Sequence, residues 1–198
     1  MLPARFRRKY IPSVAVAALL ASLLLPDTAP AAWRLDFDGG AAIPISRVEL
    51  NGSAQSSTAV DTGGAYAIGG AYGLGDWFEV NGQFQQTFMG LFVLFGNSLD
   101  TYSFTGGGRV FLMPPGRVRP WLTTQIGWYR ANASASGFGT EVPRTDNSFG
   151  LNTGGGLDVK VNDRVSLGLD VRYNNAFQAL DGLQFVTSMF NVGLHFGG

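Results

Sequence analysis

The residues able to carry chemistry in this 198-residue sequence are few, and their spacing says more than their number. There is no cysteine and a single histidine, His195, which excludes disulfides, thiolate metal sites and imidazole-rich zinc centres. No cofactor or metal site is expected. Ionic residues instead recur at alternate positions: Arg34, Asp36 and Asp38, then Asp158 and Lys160, then Asp170 and Arg172, with Glu79 and Arg109 single in their segments. Residues two apart share one face of an extended strand, so each group projects in one direction. Paired carboxylates such as Asp36 and Asp38 can do acid–base work where a substrate reaches them, but opposite charges gathered on one face more simply neutralise each other. The runs Thr105-Gly-Gly-Gly108 and Thr153-Gly-Gly-Gly156 lack the following helix that a phosphate cradle requires. Asp61 and Asp146 stand in stretches without metal-ligand spacing and read as turn residues.

The elements that must position these groups are strands, because the recurring period is two rather than 3.6. In Val165 to Asn174 the residues Val165, Leu167, Leu169, Val171 and Tyr173 point one way, and Ser166, Gly168, Asp170, Arg172 and Asn174 the other. Phe78 to Phe88 repeats the pattern, with Phe78, Val80, Phe84 and Phe88 opposed to Glu79, Asn81, Gln83, Gln85 and Thr87. The same reading gives eight strands, near 33–46, 63–74, 77–89, 101–112, 120–132, 148–161, 165–176 and 185–196. Most exceed the roughly five or six residues of an ordinary strand and reach the roughly 9–11 that a tilted strand needs to cross a bilayer. Short connections at 75–77, 114–119 and 162–164 alternate with mostly longer ones at 47–62, 90–100, 133–147 and 177–184. Short periplasmic turns and long outer loops are the pattern of outer-membrane barrels, and an even strand count puts both ends of the barrel on the periplasmic side.

Residues 1–31 read as a signal peptide: Arg5, Arg7, Arg8 and Lys9, an apolar run from Ile11 to Leu25, then Ala29-Pro30-Ala31. Residues 32–198 are then a single barrel domain. Charged residues make up 14% of the chain against roughly 25% in a typical soluble domain. The balance of 14 basic to 14 acidic residues carries no footprint of a nucleic-acid partner.

The orientation of the alternating faces decides between a soluble barrel and a bilayer one. Arg130 is the one charge on the apolar faces of these eight strands, at an outer end, whereas the opposite faces hold the ionic set above. A lysine or arginine at the bilayer midplane costs about 2–4 kcal/mol, so lipid would enforce this separation. Aromatic residues also fall into two bands, with Trp33, Trp77, Trp121 and Phe196 at periplasmic strand ends and Phe88, Tyr102, Trp128, Phe149 and Tyr173 near outer ends. An eight-stranded barrel has room inside only for its own side chains. The lumen charge network Asp36, Asp38, Glu79, Arg109, Asp158, Lys160, Asp170 and Arg172, together with Arg34, is therefore expected to form a salt-bridge plug. A three-residue turn at Asp163 would set Asp158 opposite Gly168, Asp170 opposite Gly156 and Arg172 opposite Gly154.

Four segments carry a resemblance: Asp76-Trp77-Phe78-Glu79-Val80, the run Pro115-Gly-Arg-Val-Arg-Pro-Trp121, Val161 to Tyr173, and the closing Val192-Gly-Leu-His-Phe196. They resemble the small OmpA/OmpX-like outer-membrane β-barrels, often labelled porin-like, over essentially all of residues 32–198. The resemblance implies an all-β, eight-stranded antiparallel up-and-down barrel in the outer membrane of a Gram-negative bacterium. It also implies lipid and lipopolysaccharide around the barrel and passage through the barrel-assembly machinery. Such chains usually end in an aromatic residue, and here Gly197 and Gly198 follow Phe196.

The expected role is structural or surface-interacting and non-enzymatic, with an extracellular ligand or surface met through the loops. The alternatives are a narrow channel or binder for small hydrophobic molecules, and a lipid-modifying enzyme. The enzyme would need serine, histidine and an acid near the outer leaflet, and His195 lies at the periplasmic end. Leu91, Phe92, Val93, Leu94 and Phe95 break the alternation and form a candidate apolar patch in an outer loop.

Overall fold

The computed structural model describes residues 33–45, 48–49, 57–58, 61–91, 97–137 and 140–196. Alternation of apolar and polar side chains builds eight long strands: β1 (Trp33–Pro44), β4 (Gly63–Gly73), β5 (Phe78–Leu91), β6 (Asn97–Phe111), β7 (Val118–Gly137), β8 (Thr140–Lys160), β9 (Val165–Ala176) and β10 (Leu183–Phe196). Two-residue strands β2 (Val48–Glu49) and β3 (Ser57–Thr58) pair with each other between β1 and β4. The long strands form a closed barrel in the order β1-β10-β9-β8-β7-β6-β5-β4, every neighbour antiparallel. Closure leaves no sheet edge around the ring, the condition a sheet must meet to cross hydrocarbon.

The periplasmic turns fix the register. Asn162 accepts hydrogen bonds at its side-chain oxygen from the backbone N–H of Arg164 (2.8 Å) and Val165 (2.9 Å), closing a three-residue turn between β8 and β9. With the turn fixed, Asp158 pairs with Gly168, Asp170 with Gly156 and Arg172 with Gly154, as expected. Gly75, at φ 124°, occupies a backbone conformation in the β4–β5 turn that side chains rarely adopt.

The outward surface is apolar and open. Leu35, Phe37, Ile68, Phe104, Ile126 and Leu169 are all exposed there, a surface that water would not tolerate on a monomer and lipid would. Gln86, on the same face, accepts a hydrogen bond from the Tyr66 hydroxyl, which lowers the cost of an amide facing hydrocarbon. Arg130 faces outward, seven residues before the end of β7, and Asp100 joins it near the outer end of β6 because β6 begins four residues earlier than expected.

Two expectations change. The segment 133–147 is not a loop: β7 and β8 continue through most of it as a hairpin, paired from Val118–Val159 to Gly137–Thr140. Beyond Ala133, its described residues lie above the barrel wall, where neither lipid nor lumen imposes alternation, so the backbone ladder shapes them. Asp146 is accordingly a strand residue rather than a turn residue, and it pairs with Arg144 at 2.9 Å. Trp121 leaves the expected aromatic band and points into the lumen, 2% exposed. Its ring lies over Gly156 of β8, where a Cβ would collide with it, and its indole N–H finds an acceptor inside.

Candidate functional site

Side chains fill the barrel in three layers. The first, near the periplasmic end, is ionic. Arg34 of β1 contacts three carboxylates: Asp158 at 2.8 Å, Asp36 at 3.0 Å and Glu79 at 3.0 Å. Arg109 of β6 lies 3.6–3.8 Å from the same three. It also stacks on Trp121 with its guanidinium carbon 4.0 Å from the ring centroid. The Trp121 N–H donates to the other Asp158 oxygen at 3.0 Å. Two strands lie between Asp36 and Asp158 around the ring and two between Glu79 and Asp158, so only a narrow lumen lets one arginine reach all of them.

One step outward, Arg172 donates to Asp170 at 2.5 Å and to the Gln83 side-chain oxygen Oε1, while Asn191 donates to Asp38. Seven of the nine expected ionic residues therefore fall into two arginine-centred groups, and Asp38 is held by an amide. Lys160 is the exception: it is half-buried at the periplasmic rim and makes no ion pair among the described residues. The rim is instead closed by Arg119, which sequence reasoning missed. It stacks 3.5 Å from the Phe111 centroid and donates to the Asp76 carbonyl. Its parity with Trp121 and Thr123 was the available signal. His195 shares a hydrogen bond of 2.9 Å with Ser166, whose side chain is fully enclosed. A serine shut inside the wall cannot attack a lipid in the outer leaflet.

The middle layer is uncharged and polar. Thr105 donates to Gln125 at 2.7 Å, Gln83 to Gln85 at 3.1 Å and Asn152 to Asn174 at 3.0 Å, and Thr87 bonds Thr101. Tyr129 marks the upper boundary, donating to Asn174 at 3.3 Å.

The third layer, under the outer loops, is apolar and was not foreseen. Met89, Leu99, Phe185 and Met189 point inward from three strands, with six alanines around them at 42, 65, 67, 131, 133 and 176. The remaining volume is filled from the last outer loop, a 3-10 turn at Ala179–Asp181 that places Ala179 and Leu180 inside the barrel mouth beside Leu183. Of the expected apolar patch, Leu91 ends β5, and Phe92, Val93, Leu94 and Phe95 lie outside the described residues.

Above this layer the β7–β8 hairpin runs past the strand pairing of its neighbours among the described residues. β6 pairs with β7 as far as Ser134, but β9 pairs with β8 only from Gly150 downward. The Thr140–Phe149 stretch of β8 thus has a strand on one side only among the described residues, apart from a bond from the Phe177 N–H to the Phe149 carbonyl.

Known proteins match this architecture. Solved structures include Neisserial surface protein A (17% identity, 84% of this chain and 99% of that one, TM-score 0.57). The attachment invasion locus protein Ail of Yersinia pestis also matches (22% identity, 82% and 98%, TM-score 0.55), as does OprG of Pseudomonas aeruginosa (15% identity, 86% and 99%, TM-score 0.57). No curated protein matches at a significant level. The profile of the outer membrane protein beta-barrel domain matches residues 15–196, nearly the whole chain. Together with a closed ring of eight antiparallel strands, an apolar exterior and an ion-paired interior, that match identifies the chain as an outer-membrane protein of Gram-negative type and a member of the outer membrane protein beta-barrel domain family.

Proposed function

We propose that the protein is a non-enzymatic surface-interaction barrel, exported by residues 1–31, anchored by the closed ring and meeting its partners through the β7–β8 hairpin. The observation that carries this reading is the asymmetry of the hairpin: β8 runs ten residues past its last pairing with β9. A strand with one unpaired side offers main-chain donors and acceptors to an extended peptide, which is recognition by strand addition. The filled lumen supports the same reading, since each of its three layers obstructs a water column. The attachment role in the name of Ail accords with a barrel of this shape working at its outer surface.

Two measurements test it. In planar bilayers the purified protein should give almost no current, and a steady pore conductance would overturn the sealed lumen. Cells displaying the protein should adhere to epithelial monolayers, and a variant with Ser134–Asn147 replaced by a tight turn should fold and lose that adhesion. Undiminished adhesion by the trimmed variant would remove the hairpin from the function.

A further inference from the structure

The apolar layer is filled in an unusual way. Its walls contribute six alanines, the smallest side chains with a Cβ, and a loop side chain enters from above to pack among them. That side chain belongs to Leu180, 1% exposed, which is the only non-glycine with positive φ among the described residues (φ 48°). Such a conformation disfavours any residue with a Cβ, and a γ-branched leucine has no local hydrogen bond to offset it. Two contacts hold the segment in place. The Leu180 N–H donates to the Asp146 carboxylate at 3.0 Å, and the Gly182 N–H donates to the Ala179 carbonyl at 3.1 Å. Asp146 reaches down from the inward face of the hairpin, steadied by Arg144 at 2.9 Å. A strained segment that seats an aliphatic group in an alanine-walled space through one outside carboxylate has the form of a stopper.

We propose that the outer half of the lumen is a chamber for a single aliphatic chain, with Leu180 seated in it as a displaceable stopper and Asp146 as its latch. The ligand class follows from the walls. The buried residues that form the chamber are apolar, and its floor is the hydrogen-bonded polar layer at Tyr129, Asn152 and Asn174, whose groups already bond one another, so a buried headgroup would go unmatched. A saturated chain replaces the leucine contact for contact, while the loop gains relief from its left-handed backbone. The ionic layer beneath stays closed, so the chamber binds without conducting.

The methionines give the readout. Met89 and Met189 lie in the chamber, and Met113 is exposed at the periplasmic turn between β6 and β7. The full-length protein, ¹³C-labelled at methionine methyls and held in lipid nanodiscs, is titrated with decane. The expected result is a saturable shift of the Met89 and Met189 methyls with Met113 unmoved. Saturation should come at about a tenth of the decane concentration in Asp146→Ala, which loses one charge-assisted hydrogen bond. Leu180→Ala, which shortens the stopper and keeps the latch, should also bind more tightly. Heat-modifiable gel mobility verifies the fold of each variant. Parallel shifts of all three methyls, or none at Met89 and Met189 while decane fills the bilayer, would overturn the chamber. Equal titrations of wild type and both variants would overturn the stopper.

Discussion

The ionic layer makes an asymmetric prediction. Arg34 and Arg109 face Asp36, Glu79 and Asp158, so the group holds two cations and three anions. Arg34→Met leaves three enclosed carboxylates with Arg109 alone, at 3.6–3.8 Å from each. Breaking a buried pair from the cationic side should cost about 3–5 kcal/mol. Asp158→Asn leaves two cations with two anions, and the amide carbonyl can still accept from Arg34 or from Trp121. Its cost should be about 1–2 kcal/mol, the difference between a charged and a neutral acceptor. A gap of about 2 kcal/mol separates the variants, roughly thirtyfold in the unfolding equilibrium. Urea unfolding from lipid vesicles, followed by tryptophan emission and by cold gel mobility, measures both. Should Asp158→Asn prove as destabilising as Arg34→Met, geometry around Asp158 rather than charge balance would govern the layer.

Two further outcomes come from the walls. A Cβ at Gly107 would overlap the Thr124 carbonyl oxygen and approach the Gln125 Cα, whereas one at Gly39 meets nothing within 4 Å. Gly107→Ala should therefore lose about 3 kcal/mol or fail to close, while Gly39→Ala stays neutral or gains up to about 1 kcal/mol, both read by urea midpoint. Leu169 is 63% exposed on the outward face of β9, so Leu169→Arg should cost about 2–4 kcal/mol in a bilayer; an unchanged midpoint would mean that this face does not meet hydrocarbon.

Much of this fold is legible in the sequence because a strand in a barrel wall answers to two solvents at once. Lipid and lumen impose opposite polarities on adjacent residues, so Leu167, Leu169 and Val171 against Asp170 and Arg172 declare both the strand and its facing. The three-residue turn at Asn162 then sets the register of β8 against β9. Legibility fails where one of these constraints is missing. Trp121 reads as a membrane-surface aromatic by type, and only its parity with Thr123 and Gln125 shows that it points inward. Met89, Leu99, Phe185 and Met189 are inward by the same parity, yet apolar side chains on both faces erase the contrast on which the reading depends. Ser134–Gly137 and Thr140–Asn147 stand in neither solvent boundary, so their strand character comes from pairing alone. Leu180 is beyond reach of any pattern, because its burial arises from a loop folding back into the mouth.

The order of the layers follows from what each end can supply. At the periplasmic end, β1 and β10 bring the two ends of the barrel together, Trp33 against Phe196, and the turns are tight, so the ring there is narrow and complete. Long arginines can then bridge it, and each large ionic group has a glycine or small residue opposite to receive it, as Asp158 has Gly168 and Arg172 has Gly154. At the outer end the strands differ in length, β4 having 11 residues and β8 having 21, so the mouth has no single rim from which side chains could meet. A rigid ionic lattice would be left partly unpaired there, at the cost of desolvated charge. An apolar filling makes no such demand on geometry, and a loop can complete it. The same unevenness that denies the outer end an ion-paired seal leaves the β7–β8 hairpin standing above it. The filling, the latch at Asp146 and the part of β8 that β9 does not pair are thus one consequence of two strands outgrowing the ring.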